Sequence, residues 1–321
     1  MVAPPPPPPT AVRNSNEFIQ RGPGGPRGPG IDQLRGQRRE TRDGDRTIIR
    51  EGDRTIVRGE NRTIIQHNES SRFAIGARAI RTENRGDQRV TVVERPGGVR
   101  ISSYVGRDGR LTRRVRRDRD GRETVLIDNL FAGAVAGMFI ANLRPPEVRI
   151  PRETYIIDGD RRDRRVYYDT FIAPPVERLE QRYTLDQVRY NAPLRDYMPR
   201  VDLDVNFDSG SWQLTPEQVE RLADVADGLN RAIQANPKEV FMIEGHTDLV
   251  GNADDNLSLS DRRAEAVAVA LTEQYQVPSE NLVTQGYGED FPKEQSEAAS
   301  RVNRRVAVRR ITPLIDQTAQ R

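Results

Sequence analysis

The chain contains no cysteine among its 321 residues. This excludes disulfide bonds, thiolate metal sites and cysteine-based catalysis, but it does not distinguish a cytosolic protein from a periplasmic one. Aromatic residues make up only 6% of the chain and hydrophobic residues 35%. Globular domains typically contain ~45–50% apolar residues, so we do not expect one continuous core, and part of the chain should be extended or disordered.

Long apolar runs are also missing. A helix that crosses a bilayer needs ~20 consecutive apolar residues. The longest candidate is LFAGAVAGMFI at 130–140, which is too short and contains two glycines. We therefore expect it to pack beneath the edge of a domain. The six prolines that follow Met1-Val2-Ala3 do not form an export signal, so an exported protein would carry its signal outside the printed sequence.

Lysine is nearly absent, because only Lys238 and Lys293 occur, and arginine supplies the other positive charges. The net charge of +3 conceals an asymmetry. Residues 1–130 hold 27 Arg against 17 Asp and Glu, a balance of +10, and the rest of the chain carries −7. A basic half suggests an anionic partner such as nucleic acid, lipid phosphate or a wall polymer. The alternative is a solvated sheet surface of mixed sign, since acidic residues interrupt most arginine pairs.

The first half divides into two predicted regions. Residues 1–40 are rich in proline and glycine, which predicts a disordered tail with a stiff polyproline spacer. Residues 41–130 contain an octapeptide repeat, in which RTIIR, RTIVR and RTIIQ begin at Arg46, Arg54 and Arg62. Short β-branched segments joined by three-residue turns containing glycine predict an Arg-rich antiparallel β-meander. The same pattern predicts further strands at 89–94, 99–105, 111–115 and 124–127. On this register Ile48, Ile56 and Ile64 would share one face.

The second half is predicted to contain a small α/β adaptor at 131–200, an α/β (α+β) domain at 201–312 and a C-terminal tail at 313–321. In the adaptor, short strands are expected at 147–150 and 155–157, and helices at 176–183 and 185–190, the second with a capping box of Thr184 and Gln187. The domain at 201–312 has the clearest periodicity, with a capping box of Thr215 and Gln218 and a buried apolar run VFMI at 240–243, in the order βαβαβ(α)β. This order predicts helices packed on a mixed sheet.

An ordered set of motifs lies in this domain. The segment GHTD at 245–248 follows a predicted buried strand, and Asn256 and LSDRRA at 259–264 follow it. FDS at 207–209, GYGE at 286–289 and NRRV at 303–306 complete the set. These residues resemble the OmpA-like peptidoglycan-binding domain, which OmpA, Pal and MotB-type proteins share. The resemblance covers about a third of the chain and implies a domain that binds the diaminopimelate of the peptidoglycan stem peptide.

The residues also support this chemistry independently. A free amino-acid head group carries an ammonium and a carboxylate, so its recognition needs an acid and an arginine fork. Asp248 follows the buried strand, where open α/β sheets bind ligands, and Arg263 lies on the next helix. The resemblance assigns the principal contacts to Asp248 and Arg263. Further positions in the pocket are expected at Thr247, Asn256, Asp208 and Arg304. We expect no cofactor and no metal site, and His246 is interpreted as structural.

The sequence suggests three possible functions. The first is a non-catalytic wall anchor in the periplasm, associated with the outer membrane, with peptidoglycan as its partner. Residues 41–200 would then engage outer-membrane lipid or another envelope protein, and the oligomeric state stays open. The second is a binder of nucleic acid or anionic lipid through the Arg-rich half, although the lack of interleaved aromatics disfavours nucleic acid. The third is an enzyme, which is not expected, because the chain contains no HExxH or GxSxG motif.

Overall fold

The computed structural model describes residues 18–19, 30–59, 63–130, 143–159, 164–179, 181–296 and 299–316. The strands of these residues form three sheets: two antiparallel sheets in the first half and one mixed sheet in the second. The fold class is therefore as predicted, with an α/β domain that follows a mostly antiparallel β half. Within the described residues, no helix is long and apolar enough to cross a membrane.

The first sheet contains the octapeptide repeat as an antiparallel meander. Its four strands are neighbours in chain order: β1 (Arg39–Asp43), β2 (Arg46–Glu51), β3 (Arg54–Arg58) and β4 (Thr63–His67). The predicted common face of Ile48, Ile56 and Ile64 is wrong, however. Only two residues separate β2 from β3, so Ile56 pairs with Ile49 and Ile65, while Ile48 pairs with Val57. The shorter turn shifts the pairing by one residue, and such a shift exchanges the two faces.

The second sheet continues the meander. Its strands also follow chain order: β5 (Ala79–Arg85), β6 (Gln88–Glu94), β7 (Arg100–Val105), β8 (Leu111–Arg117) and β9 (Glu123–Asp128). The last four were expected from the sequence. The first, β5, was missed because most of its side chains are exposed and polar, which leaves little apolar alternation to detect.

The mixed sheet forms the second half of the chain. Its strand order is β10–β11–β14–β12–β13, with β10 (Ile156–Asp158), β11 (Arg200–Asp202), β12 (Phe241–Gly245), β13 (Leu282–Gly286) and β14 (Val306–Arg310). β12 and β13 are parallel, and β14 is antiparallel to both β11 and β12. The sequence predicts a further helix between β13 and β14, but the described residues 287–296 and 299–305 contain none.

Helices cover this sheet. The longer ones are α4 (Arg164–Ile172), α8 (Ala223–Ala235) and α9 (Ala253–Tyr275). The short ones are α1 (Ile31–Arg35), α2 (Ser70–Phe73), α3 (Arg152–Tyr155), α5 (Leu185–Tyr190), α6 (Ala192–Arg195), α7 (Pro216–Glu220) and α10 (Thr312–Ile315). Both expected capping boxes form, at Thr184 with Gln187 and at Thr215 with Gln218. α10 is buried, so the first residues of the expected C-terminal tail at 313–321 are packed against the domain.

The predicted adaptor is built into the domain. β10 adds an edge strand to the mixed sheet, and Tyr167 and Phe171 of α4 belong to the same core as α8. The strand expected at 147–150 does not form, and the described part of 176–183 is not helical. Residues 131–140 of the apolar segment 130–140 lie outside the described residues. The expected tail 1–40 also differs from the structure near its end, because α1 and the start of β1 occupy 31–40.

The first half packs against helix α9. Ile49, Ile56 and Ile65 form a small core with Leu257 of α9. The mixed sheet covers the opposite side of the helix, so that every residue from Asp254 to Thr272 is buried. A helix that usually keeps one polar face in water is therefore enclosed on all sides.

Candidate functional site

Two glycines allow α9 to lie directly on the mixed sheet. Gly245 and Gly286 are paired residues at the ends of the parallel strands β12 and β13. A Cβ atom on Gly245 would lie 1.9 Å from the backbone oxygen of Ser260, and one on Gly286 would lie 2.4 Å from the backbone nitrogen of Asp261. Both backbones must therefore approach without side chains. This contact explains the glycine of the GHTD motif and fixes α9 beside the loop that follows β12.

The loop between β12 and α9 is held by local hydrogen bonds. The side chain of Asn252 caps α9 by accepting a hydrogen bond of 2.9 Å from the backbone N–H of Asp254. The Asn256 amide donates to the backbone oxygens of Asp248 and Val250, both at 3.3 Å, and to Glu289 Oε2 at 2.7 Å. Asn256 thus positions the loop that presents Asp248.

A cavity of about 480 Å³ lies between this loop, α9 and α1. It is large enough for a small amino-acid ligand, because ligand pockets commonly enclose ~300–1,000 Å³. Five of the six site residues expected from the sequence line it: Thr247, Asp248, Asn256, Arg263 and Arg304. The sixth, Asp208, is not among the lining residues. Its backbone carbonyl accepts a hydrogen bond from Arg263, and its neighbours Phe207 and Ser209 line the cavity.

Among the acids that line the cavity, Asp248 is the one on the loop after β12. It is 6% exposed, and its Oδ2 accepts hydrogen bonds from Arg304 Nη1 at 2.6 Å and from the backbone N–H of Ser300 at 3.1 Å. Its Oδ1 accepts one from the backbone N–H of Val250 at 3.3 Å. These donors fix the orientation of the carboxylate. Arg304 is one-third exposed, so this ion pair lies at the mouth of the cavity.

Arg263 is the buried cation of the cavity and is 2% exposed. Its Nε donates to the Ser211 backbone oxygen at 3.0 Å and its Nη2 to the Asp208 backbone oxygen at 3.2 Å. Its guanidinium also lies 5.0 Å from the ring centroid of Phe207. Burial and the charge of Arg304 lower the pKa of Arg263 to about 9, so the side chain stays charged at neutral pH.

The contacts of Arg263 are incomplete. Its Nη1 atom is buried and has no hydrogen-bond partner within the described part of the chain, and no carboxylate there forms an ion pair with it. Buried polar groups are normally paired, and a buried unpaired donor costs free energy. The Thr247 hydroxyl, which lines the same cavity, is equally without a partner among these residues. An anionic ligand group with acceptor oxygens would satisfy both.

His246 serves the frame of the site. Its ring stacks on Tyr287 with centroids 5.4 Å apart. Burial and the charge of Arg305 lower its pKa to about 3, so it is neutral at physiological pH. Among the described residues, no three His, Asp or Glu side chains are grouped so that they could hold a metal ion.

The sequence did not indicate one wall of the cavity. Ile31, Asp32 and Arg35 of α1 line it, although they precede the predicted domain by about 170 residues. A five-residue helix flanked by glycine and proline gives no periodic signal. The IDQLR segment does offer one weak local cue, because an isoleucine and a leucine three residues apart follow a glycine-rich stretch.

The comparisons with known proteins concern the same domain. The OmpA family model matches residues 206–305. Outer membrane porin F of Pseudomonas aeruginosa is 35% identical over 109 residues, which are 33% of this chain and 30% of that protein. The putative lipoprotein YfiB of Escherichia coli K12 is 34% identical over 109 residues, which are 33% of this chain and 66% of that protein. The chain thus matches about a third of the porin and just under two thirds of the lipoprotein.

A solved structure of the peptidoglycan-associated lipoprotein from Burkholderia pseudomallei also aligns with this region. It is 29% identical and covers 33% of this chain and 87% of that chain, with a TM-score of 0.29. The family model matches residues 206–305, and each sequence relative matches about a third of the chain. Residues 206–305 of this chain therefore form a domain of the OmpA family.

Proposed function

We propose that the cavity binds the free amino-acid head group of diaminopimelate in the stem peptide of peptidoglycan. The observation that carries the proposal is the placement of Asp248 and Arg263 on one cavity, where a guanidinium nitrogen of Arg263 lacks a partner among the described residues. The ligand ammonium would lie at Asp248. The ligand carboxylate would lie at Arg263, and Arg304 would neutralise part of the charge of Asp248.

We further propose that the protein is a non-catalytic anchor of the cell envelope. Its relatives include a protein named an outer membrane porin and one named a lipoprotein, which supports a periplasmic location beside the outer membrane. Each charge-assisted contact contributes ~1.5–3 kcal/mol, and ordering the ligand and the loop opposes this gain. Single-site binding is therefore weak, and many copies on a wall with repeated stems would hold by avidity.

Paired substitutions test the site. Asp248→Asn removes the negative charge, and Arg263→Lys removes the bidentate guanidinium but keeps the positive charge. Both keep much of the side-chain shape. Asp227→Asn and Arg231→Lys are the matched controls, because these residues lie four apart on the exposed face of α8 and are 44% and 46% exposed. The measurement is co-sedimentation of the full chain with purified peptidoglycan that contains diaminopimelate.

We expect each site variant to lower the apparent affinity roughly tenfold to hundredfold, as the loss of one contact of ~1.5–3 kcal/mol requires. The control variants should bind like the wild type. Peptidoglycan with lysine in place of diaminopimelate lacks the carboxylate of the free head group. It should bind weakly to the wild type and to every variant. Undiminished binding by both site variants, with circular dichroism confirming that they are folded, would reject the site.

The Arg-rich half gives less support to an external anionic partner than its charge suggests. Arg54 and Arg72 are buried and pair with acidic residues of α9, and Arg114 is buried and pairs with Glu69. Arg38 and Arg58 pair with Asp255 and Asp254 at the start of α9. These pairs neutralise part of the positive charge within the protein. We propose a lipid or protein of the envelope as the partner of residues 41–200, and not nucleic acid, because aromatic residues are not interleaved with the arginines of residues 41–130.

A further inference from the structure

The cavity has a wall that the OmpA family domain does not supply. The family match begins at residue 206, whereas Ile31, Asp32 and Arg35 of α1 line the cavity together with Asp248 and Arg263. The cavity of this protein is therefore a composite of two distant parts of the chain.

The wall is fixed in place by contacts at both ends. At its start, the backbone N–H of Ile31 donates to the Gly210 backbone oxygen at 3.0 Å, and the Ile31 side chain is only 6% exposed. Gly210 has a φ of +67°, and a Cβ atom there would lie 3.4 Å from Ile31 Cγ2. At its end, Arg35 Nε donates to Asp255 Oδ2 at 2.6 Å, and Arg38 forms an ion pair with the same carboxylate. α1 is thus held on the first turn of α9.

Arg35 has the properties of a ligand-binding side chain. Its guanidinium carries five N–H donors. Among the described residues its contacts are with Asp255 through Nε and Nη2 and with Asp32 through Nη1, which leaves two N–H donors without a partner in that part of the chain. The side chain is 53% exposed and lines the cavity. These features fit the recognition of an anion that enters from solvent.

The cavity presents charges of both signs, since it is lined by Arg35, Arg263 and Arg304 and by Asp32, Asp248 and Asp255. Arg263 and Arg304 lie around the position assigned to the head group, and Arg35 lies on the α1 side. A single amino-acid head group offers one carboxylate and one ammonium. A stem peptide offers another carboxylate beside it, on the D-glutamyl residue that precedes diaminopimelate.

We propose that α1 is part of the ligand site and that Arg35 binds this second carboxylate of an acidic peptide whose head group lies between Asp248 and Arg263. The inference rests on the proposed function. It goes beyond it by assigning a specificity-determining residue outside the family domain and by naming the part of the ligand that this residue recognises.

The test uses the full chain and three probes in calorimetric or NMR titrations. The probes are free diaminopimelate, the tripeptide alanyl-γ-D-glutamyl-diaminopimelate, and the same tripeptide with the D-glutamyl carboxylate converted to an amide. An ion pair formed by an exposed guanidinium is weak, so we expect the wild type to bind the free tripeptide only about fivefold tighter than its amide. Arg35→Gln should abolish this difference between the two tripeptides. The ratio of their two affinities is the readout, because loss of Arg35 also removes a contact that holds α1 on α9.

A second variant guards against an indirect effect of the substitution. Asp32 is 82% exposed and pairs with Arg35. Its replacement in Asp32→Asn removes a competing carboxylate without touching the contacts of α1 with Gly210 or Asp255. Equal or tighter binding of the free tripeptide by this variant supports the proposal, and weaker binding opposes it.

The outcomes separate the two proposals. If Arg35→Gln weakens all three probes equally, or weakens none, Arg35 does not bind the second carboxylate, and the inference fails. If Asp248→Asn abolishes binding of all three probes in the same experiments, the head-group site still stands. If the wild type binds none of the probes, both proposals fail.

Discussion

The contact between the first half and α9 yields a direct test of how the protein is held together. Asp261 is 1% exposed and lies between two buried cations from the octapeptide sheet. Its Oδ2 accepts from Arg54 Nε at 2.8 Å and pairs with His67 Nδ1 at 3.0 Å. Its Oδ1 accepts from the backbone N–H of Gly286 at 3.2 Å. One carboxylate therefore joins β3, β4 and β13 to α9.

The substitution Asp261→Asn removes the charge and keeps the shape. Removal of one partner of a buried ion pair costs ~3–5 kcal/mol, because the remaining charge stays buried without compensation. Arg54 keeps a second partner, since its Nη1 lies 2.8 Å from Asp53 Oδ1. We therefore expect a loss at the lower end of this range, about 3 kcal/mol. This is a large part of the ~5–15 kcal/mol by which native proteins are stable.

The measurement is urea unfolding followed by circular dichroism, with Asp227→Asn as the control. Asp227 is 44% exposed, and the loss of such a surface charge typically changes stability by less than ~0.5 kcal/mol. With a slope of ~1–3 kcal/mol/M in urea, a loss of 3 kcal/mol moves the midpoint by roughly 1–3 M. Hydrogen exchange should locate the effect, with β3 and β4 losing protection before β12.

A small effect would contradict this reasoning. If Asp261→Asn shifted the midpoint no more than the control does, the ion pairs would not join the two halves. If protection were lost in β12 and retained in β3, the carboxylate would serve the mixed sheet alone.

Two further predictions concern the same helix. Gly245→Ala should destabilise the protein by about 3 kcal/mol or more, because its Cβ would lie 1.9 Å from a backbone oxygen of α9; Gly44→Ala, in an open turn at a φ of +59°, should cost only ~1–2 kcal/mol. Equal losses in urea unfolding would refute this packing argument. Burial lowers the pKa of His67, but Asp261 and Glu265 outweigh it and raise the value to about 9. The protonated ring thus stabilises the fold fully below its unfolded pKa of ~6.5, and this contribution is lost as the pH rises through about 9. His67→Gln should accordingly be less stable than the wild type by a few kcal/mol at pH 6, at ~1.4 kcal/mol per unit of pKa shift, and the gap should close by pH 10; a gap that widens with pH would contradict the assignment.

Local signals explain what the sequence predicted well. The α/β order of the second half rests on periodicity and on caps that act over three or four residues, and both capping boxes form as expected. The run VFMI at 240–243 predicted a strand buried on both faces, and all four side chains are fully buried. The motif residues also lie together, because the end of β12 and the first turns of α9 are close in both sequence and space.

The features that were missed depend on distant contacts or on single residues. A two-residue turn at Gly52-Asp53 instead of a three-residue one reversed the faces of the repeat. Asp261 and Glu265 resemble the solvated face of an amphipathic helix, and only the arrival of β3, β4 and α2 buries them. The α1 wall likewise forms only when residues far apart in the chain meet.

Arg262 and Arg263 are neighbours on α9 whose contacts lie on different sides of the helix. Arg263 lines the cavity, whereas Arg262 donates to Glu51 at 2.9 Å in the octapeptide sheet. Consecutive positions on a helix are turned by roughly 100° from each other, so α9 carries the side chains of Arg262 and Arg263 on different faces. A force on a ligand bound by Arg263 would therefore be transmitted through the adjacent Arg262 to the octapeptide sheet. We expect tension applied from outside to be shared by both halves of the protein and not borne by the C-terminal domain alone.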